Sequence, residues 1–258
     1  MTILSNKQVR ERLGNSIVIE PFDERNLNTS SYDVTLGEAY YIEHRPRWWW
    51  LFGRSPLYNI WDYDHVHRIW GDALAAVRAD HVFRFRAWFW GGRFWPKGIR
   101  REDLVIMLPP KHTILAHTDE FIGGRASVYA RLINSLEKGT ADEELDPPST
   151  TMMKARSSMG RNFLEVCKCA GYGDVGYTNR WTMEITNNSR FYRIPLVVRR
   201  RIAQIVFMET GELEGQEDYS ATGKYQTTAD MAELKRQWHP FMMLPRLDRD
   251  RDNPDRGE

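Results

Sequence analysis

The stretch ARSSMGRNFLEVCKCAGYGDVGYTNRWTMEITN, residues 155–187, joins a strand signal to three groups with chemical potential. Its end, RWTMEITN, alternates strictly, so an extended chain puts Trp181, Met183 and Ile185 on one face and Thr182, Glu184 and Thr186 on the other. Glu184 therefore points away from the apolar side. The middle, AGYGDVGY, sets Asp174 among Gly171, Gly173 and Gly176, which permit a tight backbone and leave room for a ligand to approach. The start places Arg156, Ser157, Ser158 and Arg161 at a turn containing Gly160, and two guanidinium groups with two small hydroxyls suit the oxygens of a polyphosphate. Each feature has a plainer reading by itself: a solvated Arg-Ser-Ser turn, an Asp turn former, a glutamate facing water. A glutamate desolvated in a pocket would instead hold its proton more tightly and could act as a general base.

Outward from this run, SIVIEP, YDVTLGEAYYIE, DLVIMLPPKHTILAHT, NFLEVCKCAG and IPLVVRRRIAQIVFMET are short, rich in β-branched and aromatic residues, and separated by Gly, Pro, Asn or Asp. That rhythm predicts a mainly β fold, a barrel or sandwich. Ser5 caps an expected short helix that buries Ile3, Val9 and Leu13 and stops at Gly14. Two insertions break the rhythm. Residues 45–101 hold eight of the ten tryptophans among many arginines, with a helix expected around Asp72–Ala79. Residues 127–150 end in the loop-like DEELDPPST. Exposing so many tryptophans would be costly, so a satellite core or a subunit interface is expected for them. Residues 1–226 read as one domain carrying both insertions, and 227–258 as a short helix, ADMAELKRQWHP, followed by a disordered charged tail.

With 258 residues and 41% hydrophobic content the chain can bury a substantial core. Its 36 basic and 35 acidic side chains give no global field to attract nucleic acid or a membrane surface, so any anion site is local. The start lacks a secretory apolar core and no run approaches a membrane span, so a soluble, cytoplasmic protein is expected. Cys167 and Cys169 are expected as reduced thiols, with strand alternation placing both on one face.

The ordered segments SYDVTLG (31–37), RSSMGR (156–161), AGYGDVGY (170–177), TMEI (182–185), RIAQIVF (201–207) and GKYQ (223–226) resemble the dCTP deaminase and dUTPase superfamily in order and spacing. The resemblance covers somewhat over half the chain. It implies a distorted, mostly antiparallel β-barrel, assembled as a homotrimer with sites between subunits, and a triphosphate bound with Mg2+. By that resemblance Arg156 and Ser158 contact phosphates, Ser157 and Arg161 organise the catalytic water and base pocket, Asp174 meets the deoxyribose 3′-hydroxyl, and Glu184 is the acid/base residue. Met159, Gly160, Ala170, Gly171, Tyr177, Thr182 and Met183 are implied to line the substrate pocket. Gln204 and the segment from Tyr219 to Lys224 are implied to close over the nucleotide, with Lys224 on the phosphates. The chain departs from the family where a second glutamine would follow KYQ and Thr227 and Thr228 stand instead.

Two reactions occur within such a family. Deamination needs water at C4 of cytosine and a carboxylate to relay protons, for which Glu184 is the candidate. The H-x-E and P-C-x-x-C elements of zinc deaminases are missing from the sequence, so a zinc-independent reaction is expected. Hydrolysis of dUTP to dUMP needs water aimed at the α-phosphorus, with Asp174 the orienting candidate. The expected function is dCTP deamination, with onward dUTP hydrolysis open because AG-x-x-D-x-G-Tyr is similar to bifunctional members. A monofunctional dUTP diphosphatase, and a dUTPase-like nucleotide- or nucleic-acid-binding regulator that uses the Trp/Arg insertion, are the alternatives.

Overall fold

A computed structural model describes residues 2–44, 57–89, 95–126, 146–211, 213–214 and 219–250. In chain order the elements are α1 (Asn6–Glu11), β1 (Ile17–Glu20), β2 (Tyr32–Ile42), α2 (Tyr63–Trp70), β3 (Leu74–Ala75), β4 (Val77–Arg78), α3 (Ala79–Phe89), β5 (Leu104–Leu108), β6 (Thr113–Gly124), β7 (Ser149–Ala155), α4 (Ser157–Arg161), β8 (Leu164–Glu165), β9 (Tyr172–Gly173), β10 (Arg180–Asn187), β11 (Ile194–Val197), β12 (Arg201–Glu209), α5 (Tyr219–Thr222) and α6 (Met231–Gln237). The fold is mainly β, as its strand rhythm predicts.

A nine-stranded antiparallel sheet runs β8-β10-β6-β2-β12-β7-β9, with β1 added on β6 and β3 on β2, and it curls into a half-barrel. A smaller sheet, β11-β5-β4, stands beside it. One face of the sheet holds the main core, including Leu4, Tyr32, Ile114, Met153, Met183, Ile185 and Phe207. β10 buries Trp181, Met183 and Ile185 in that core and leaves Thr182 and Glu184 half-exposed on the other face, as alternation requires.

In β6 the alternation is lost: only Thr113 and Asp119 escape full burial, so both of its faces are covered. Leu115 joins Tyr41, Val66, Met243 and Leu244 in a second cluster, into which Tyr58 and Trp70 also pack. The cover on the opposite face thus comes from α2 of the insertion and from the 3-10 turn Pro240–Met243 after α6. A third cluster groups Ala79, Val105 and Val197 with Phe83 and Trp95. The insertion therefore supplies satellite cores through Trp70 and Trp95, while Trp61 stays 44% exposed; Trp48, Trp49, Trp50 and Trp90 lie outside the described residues.

Several local expectations are corrected. Residues 72–79 are not a helix: Ala75 pairs with Ala39 and Val77 with Val105, so long-range pairing turns the segment into two edge strands between α2 and α3. α1 has its capping box on Ser5, and Val9 is buried, but Ile3 is 57% exposed. Of DEELDPPST, Ser149 and Thr150 are buried strand residues of β7. Cys167 and Cys169 do not share a face. Residues 167 and 168 adopt φ of 63° and 41°, which breaks the strand after Glu165, buries Cys167 and exposes Cys169; both are free thiols. Among the described residues no helix is long and apolar enough to cross a membrane.

Candidate active site

Glu184 lies midway along β10, its Cα opposite Leu115 of β6. Burial pushes its carboxyl above the usual carboxylate range, opposed by the backbone N–H that it accepts and by the Lys168 ammonium. Its Oε2 is buried with no hydrogen-bond partner among the described residues. A desolvated carboxylate oxygen with an empty acceptor position favours the protonated form and can take and return a proton. The Cys167–Lys168 turn is fastened to this strand, Cys167 N–H donating to the Glu184 carbonyl at 3.2 Å. The Cys167 thiol contacts Met153 Sδ at 3.1 Å, and burial pushes its pKa up, which makes it a packing group and not a nucleophile.

Asp174 is exposed at the tip of the turn between β9 and β10, its carbonyl accepting from Tyr177 N–H at 3.1 Å. Its glycines serve the chain more than a ligand. A Cβ at Gly173 would run into the Trp181 indole, one at Gly171 into the Met153 carbonyl, and Gly176 has φ of 97°. Tyr177 stands edge-on to Trp181 at 5.3 Å and to Tyr219 at 5.2 Å, and its hydroxyl donates to the Arg180 carbonyl at 3.3 Å. α5 is tied down beside Asp174 through Tyr219 N–H and the Val175 carbonyl, at 3.0 Å. Burial, with help from the Tyr225 and Asp174 charges, raises the Tyr219 phenol.

The segment after α5 is fixed by a residue outside the expected site. Gln226 is fully buried, accepts from Thr178 N–H at 2.9 Å and donates to the carbonyls of Gly176 and Thr228, both at 3.0 Å. Lys224 forms an ion pair with Asp250, and its carbonyl accepts from Arg246 Nη1 at 2.7 Å. Arg246 also donates its backbone N–H to the Tyr225 hydroxyl at 3.2 Å. The motif GKYQ pointed to Gln226; nothing in the sequence pointed to Arg246 or Asp250.

The cationic residues lie on α4 and β12. Arg156 is the N-cap of α4, and Ser157, Ser158, Gly160 and Arg161 are exposed along it. Arg156 Nε lies 3.2 Å from the buried Asp33 carboxylate, which Arg201 also reaches at 3.3 Å. Arg156 and Met159 line a cavity of about 520 Å³ with Arg25, Arg199, Arg200 and Arg201. Gln204 of β12 is half-buried opposite Asp33 of β2 and Lys154 of β7. Among the described residues no hydrogen bond or ion pair joins these residues to Glu184 or Asp174. Ala170 is exposed near the latter and Thr182 is half-exposed beside Glu184. Met183, between Thr182 and Glu184, has its side chain in the main core at 0% exposure.

The dCTP deaminase-like family model matches residues 139–210, which span the arginine-serine turn, Asp174, Glu184 and Gln204. Proteins named dCTP deaminase, dUMP-forming, are similar along most of the chain. The one from Clostridium beijerinckii is 25% identical over 224 residues, covering 87% of this chain and 90% of the relative. The one from Leptospira biflexa is 27% identical over 226 residues, with the same coverage. The crystal structure of the 2′-deoxycytidine 5′-triphosphate deaminase from Agrobacterium tumefaciens superposes with a TM-score of 0.46 at 15% identity, over 83% of this chain and 50% of that one. The family match includes β7, β10 and β12, whereas Tyr219, Lys224 and the cover on β6 lie outside it.

Proposed function

We propose that the chain deaminates dCTP to dUTP and ammonia and then hydrolyses dUTP to dUMP and pyrophosphate. The observation that carries the first step is the buried, unpartnered Oε2 of Glu184 within the family match. As a water oxygen bonds to C4, the Glu184 carboxylate takes its proton and passes it to ring N3. A second transfer from the new hydroxyl to the amine lets ammonia leave and the carbonyl form. The high proton affinity that burial gives Glu184 suits both roles.

Pyrophosphate formation needs water held at the α-phosphorus, and the exposed Asp174 carboxylate is the group that could orient it. The relatives named dUMP-forming support this second step. By the resemblance Mg2+ would accompany the triphosphate oxygens, where it would neutralise their charge. Arg156, Ser158 and Lys224 supply the chain's own cations and hydroxyl for those oxygens.

The resemblance supports sites completed between copies, in a trimer. Anion-exchange separation after incubation with dCTP or dUTP and magnesium tests the reading. It predicts dUMP from both; dUMP from dUTP alone overturns deamination, and dUTP accumulating from dCTP overturns the second step. Asp174→Asn is expected to stop pyrophosphate release while dUTP still forms from dCTP.

A further inference from the structure

On the face of the sheet opposite the main core, Tyr41 of β2, Leu115 of β6 and Glu184 of β10 form one cross-strand row. Directly opposed side chains on one face stand about 4.5–5.5 Å apart at Cβ, so the cover on Leu115 lies within one strand spacing of Glu184. Leu115 is 5% exposed, and its cover is Val66 of α2 with Met243 and Leu244 after α6. The next row, Ala39, His117 and Thr182, is roofed by the same C-terminal segment: the Trp238 ring lies 4.5 Å from the His117 ring, and Ala39 N–H donates to His117 Nε2 at 3.3 Å. None of these roof residues falls within residues 139–210.

We propose that this roof, formed by two segments outside residues 139–210, is the wall that keeps water from the carboxylate of Glu184, with Val66 and Met243 as its positioning residues. The inference rests on Glu184 being the acid/base of the proposed function. It makes the insertion and the C-terminal segment parts of the reaction site without giving either a group that touches substrate. The titratable side chains acting on Glu184 are Lys168 and Cys167 from the turn after β8 and Tyr177 from the loop before β10. On its own face are Thr182, Thr186, Tyr41 in the same row, with Asp72 and Tyr63 of the insertion acting on its phenol, and, one row away, His117; the roof residues Val66, Met243 and Leu244 carry no charge. Shrinking the roof therefore changes hydration at Glu184 without changing a neighbouring charge.

The test uses the full chain without nucleotide. The 13C carboxyl signal of Glu184, assigned by its loss in Glu184→Gln, is titrated in wild type, Val66→Ala, Met243→Ala and Leu57→Ala. Leu57 belongs to the same insertion but is 81% exposed and outside the cluster. The midpoint is expected to fall by about half a pH unit or more in the two roof variants and to stay in Leu57→Ala. The acid limb of kcat/KM for dCTP should fall with it, since a general base is lost as pH drops through its own pKa. Val66→Ala removes the smaller volume and keeps the test open should Met243→Ala unfold. An unmoved midpoint in a folded roof variant overturns the proposal. A moved midpoint in a chain that never deaminates dCTP keeps the roof and removes the proposed function.

Discussion

His117 and Glu120 stand three residues apart on β6 and respond to burial in opposite directions. The imidazole is held down at about 4, its Nδ1 bonding to the Thr118 carbonyl at 2.8 Å and its Nε2 accepting from Ala39, so it stays neutral. The Glu120 carboxyl, under Thr35 N–H and Oγ1, is raised to about 7. A depressed histidine contributes stability above its unfolded value near 6.5 that is lost as pH falls toward 4. A raised carboxyl works the other way: the folded state holds the proton between about 4.5 and 7, so stability declines as pH rises through that window. Glu120→Gln should therefore gain stability relative to wild type as pH goes from 4 to 8, by up to about 3 kcal/mol, in urea titrations at several pH values. A pH-independent difference between the two proteins would contradict the buried, raised carboxyl.

At the scale of elements, the segment from α5 to Gln226 is held by one buried amide and one ion pair of different worth. Gln226→Ala leaves Thr178 N–H and the Gly176 carbonyl without their partner, for an expected loss of about 1–3 kcal/mol, checked by the urea midpoint. Asp250→Ala removes only a partly exposed ion pair, so stability should change little while trypsin cleaves faster after Lys224. Which elements were legible in the sequence follows the range of the forces that make them. The strand at 180–187 and the helix at Met231–Gln237 express local period and caps, and Glu184's outward face followed directly. The pair of edge strands at 74–78 exists because β2 and β5 accept them, which no local pattern encodes. The cover on Leu115 was illegible for the same reason, since Val66 and Met243 meet only through the curl of the sheet. The glycines around Asp174 suggested room for a ligand, but two of them make room for Trp181 and for the backbone of Met153.

At the scale of the whole molecule, the proposed site draws its cations from α4 and β12 and its carboxylates from β10 and the turn before it. Sites shared between copies make a specific prediction for mixing. Arg156→Ala and Glu184→Gln should each be inactive alone, and an equal mixture refolded together should recover about a quarter of the wild-type sites, because each set of residues is intact in half of the copies. No recovery in a mixture that reassembles would mean that both sets act within one chain. The central claim concerns Glu184, and ammonia release from dCTP by the Glu184→Gln protein, measured beside its dCTP affinity, tests it most directly. The account predicts a loss of about 10²- to 10⁴-fold in turnover with binding largely kept; turnover equal to wild type would contradict it.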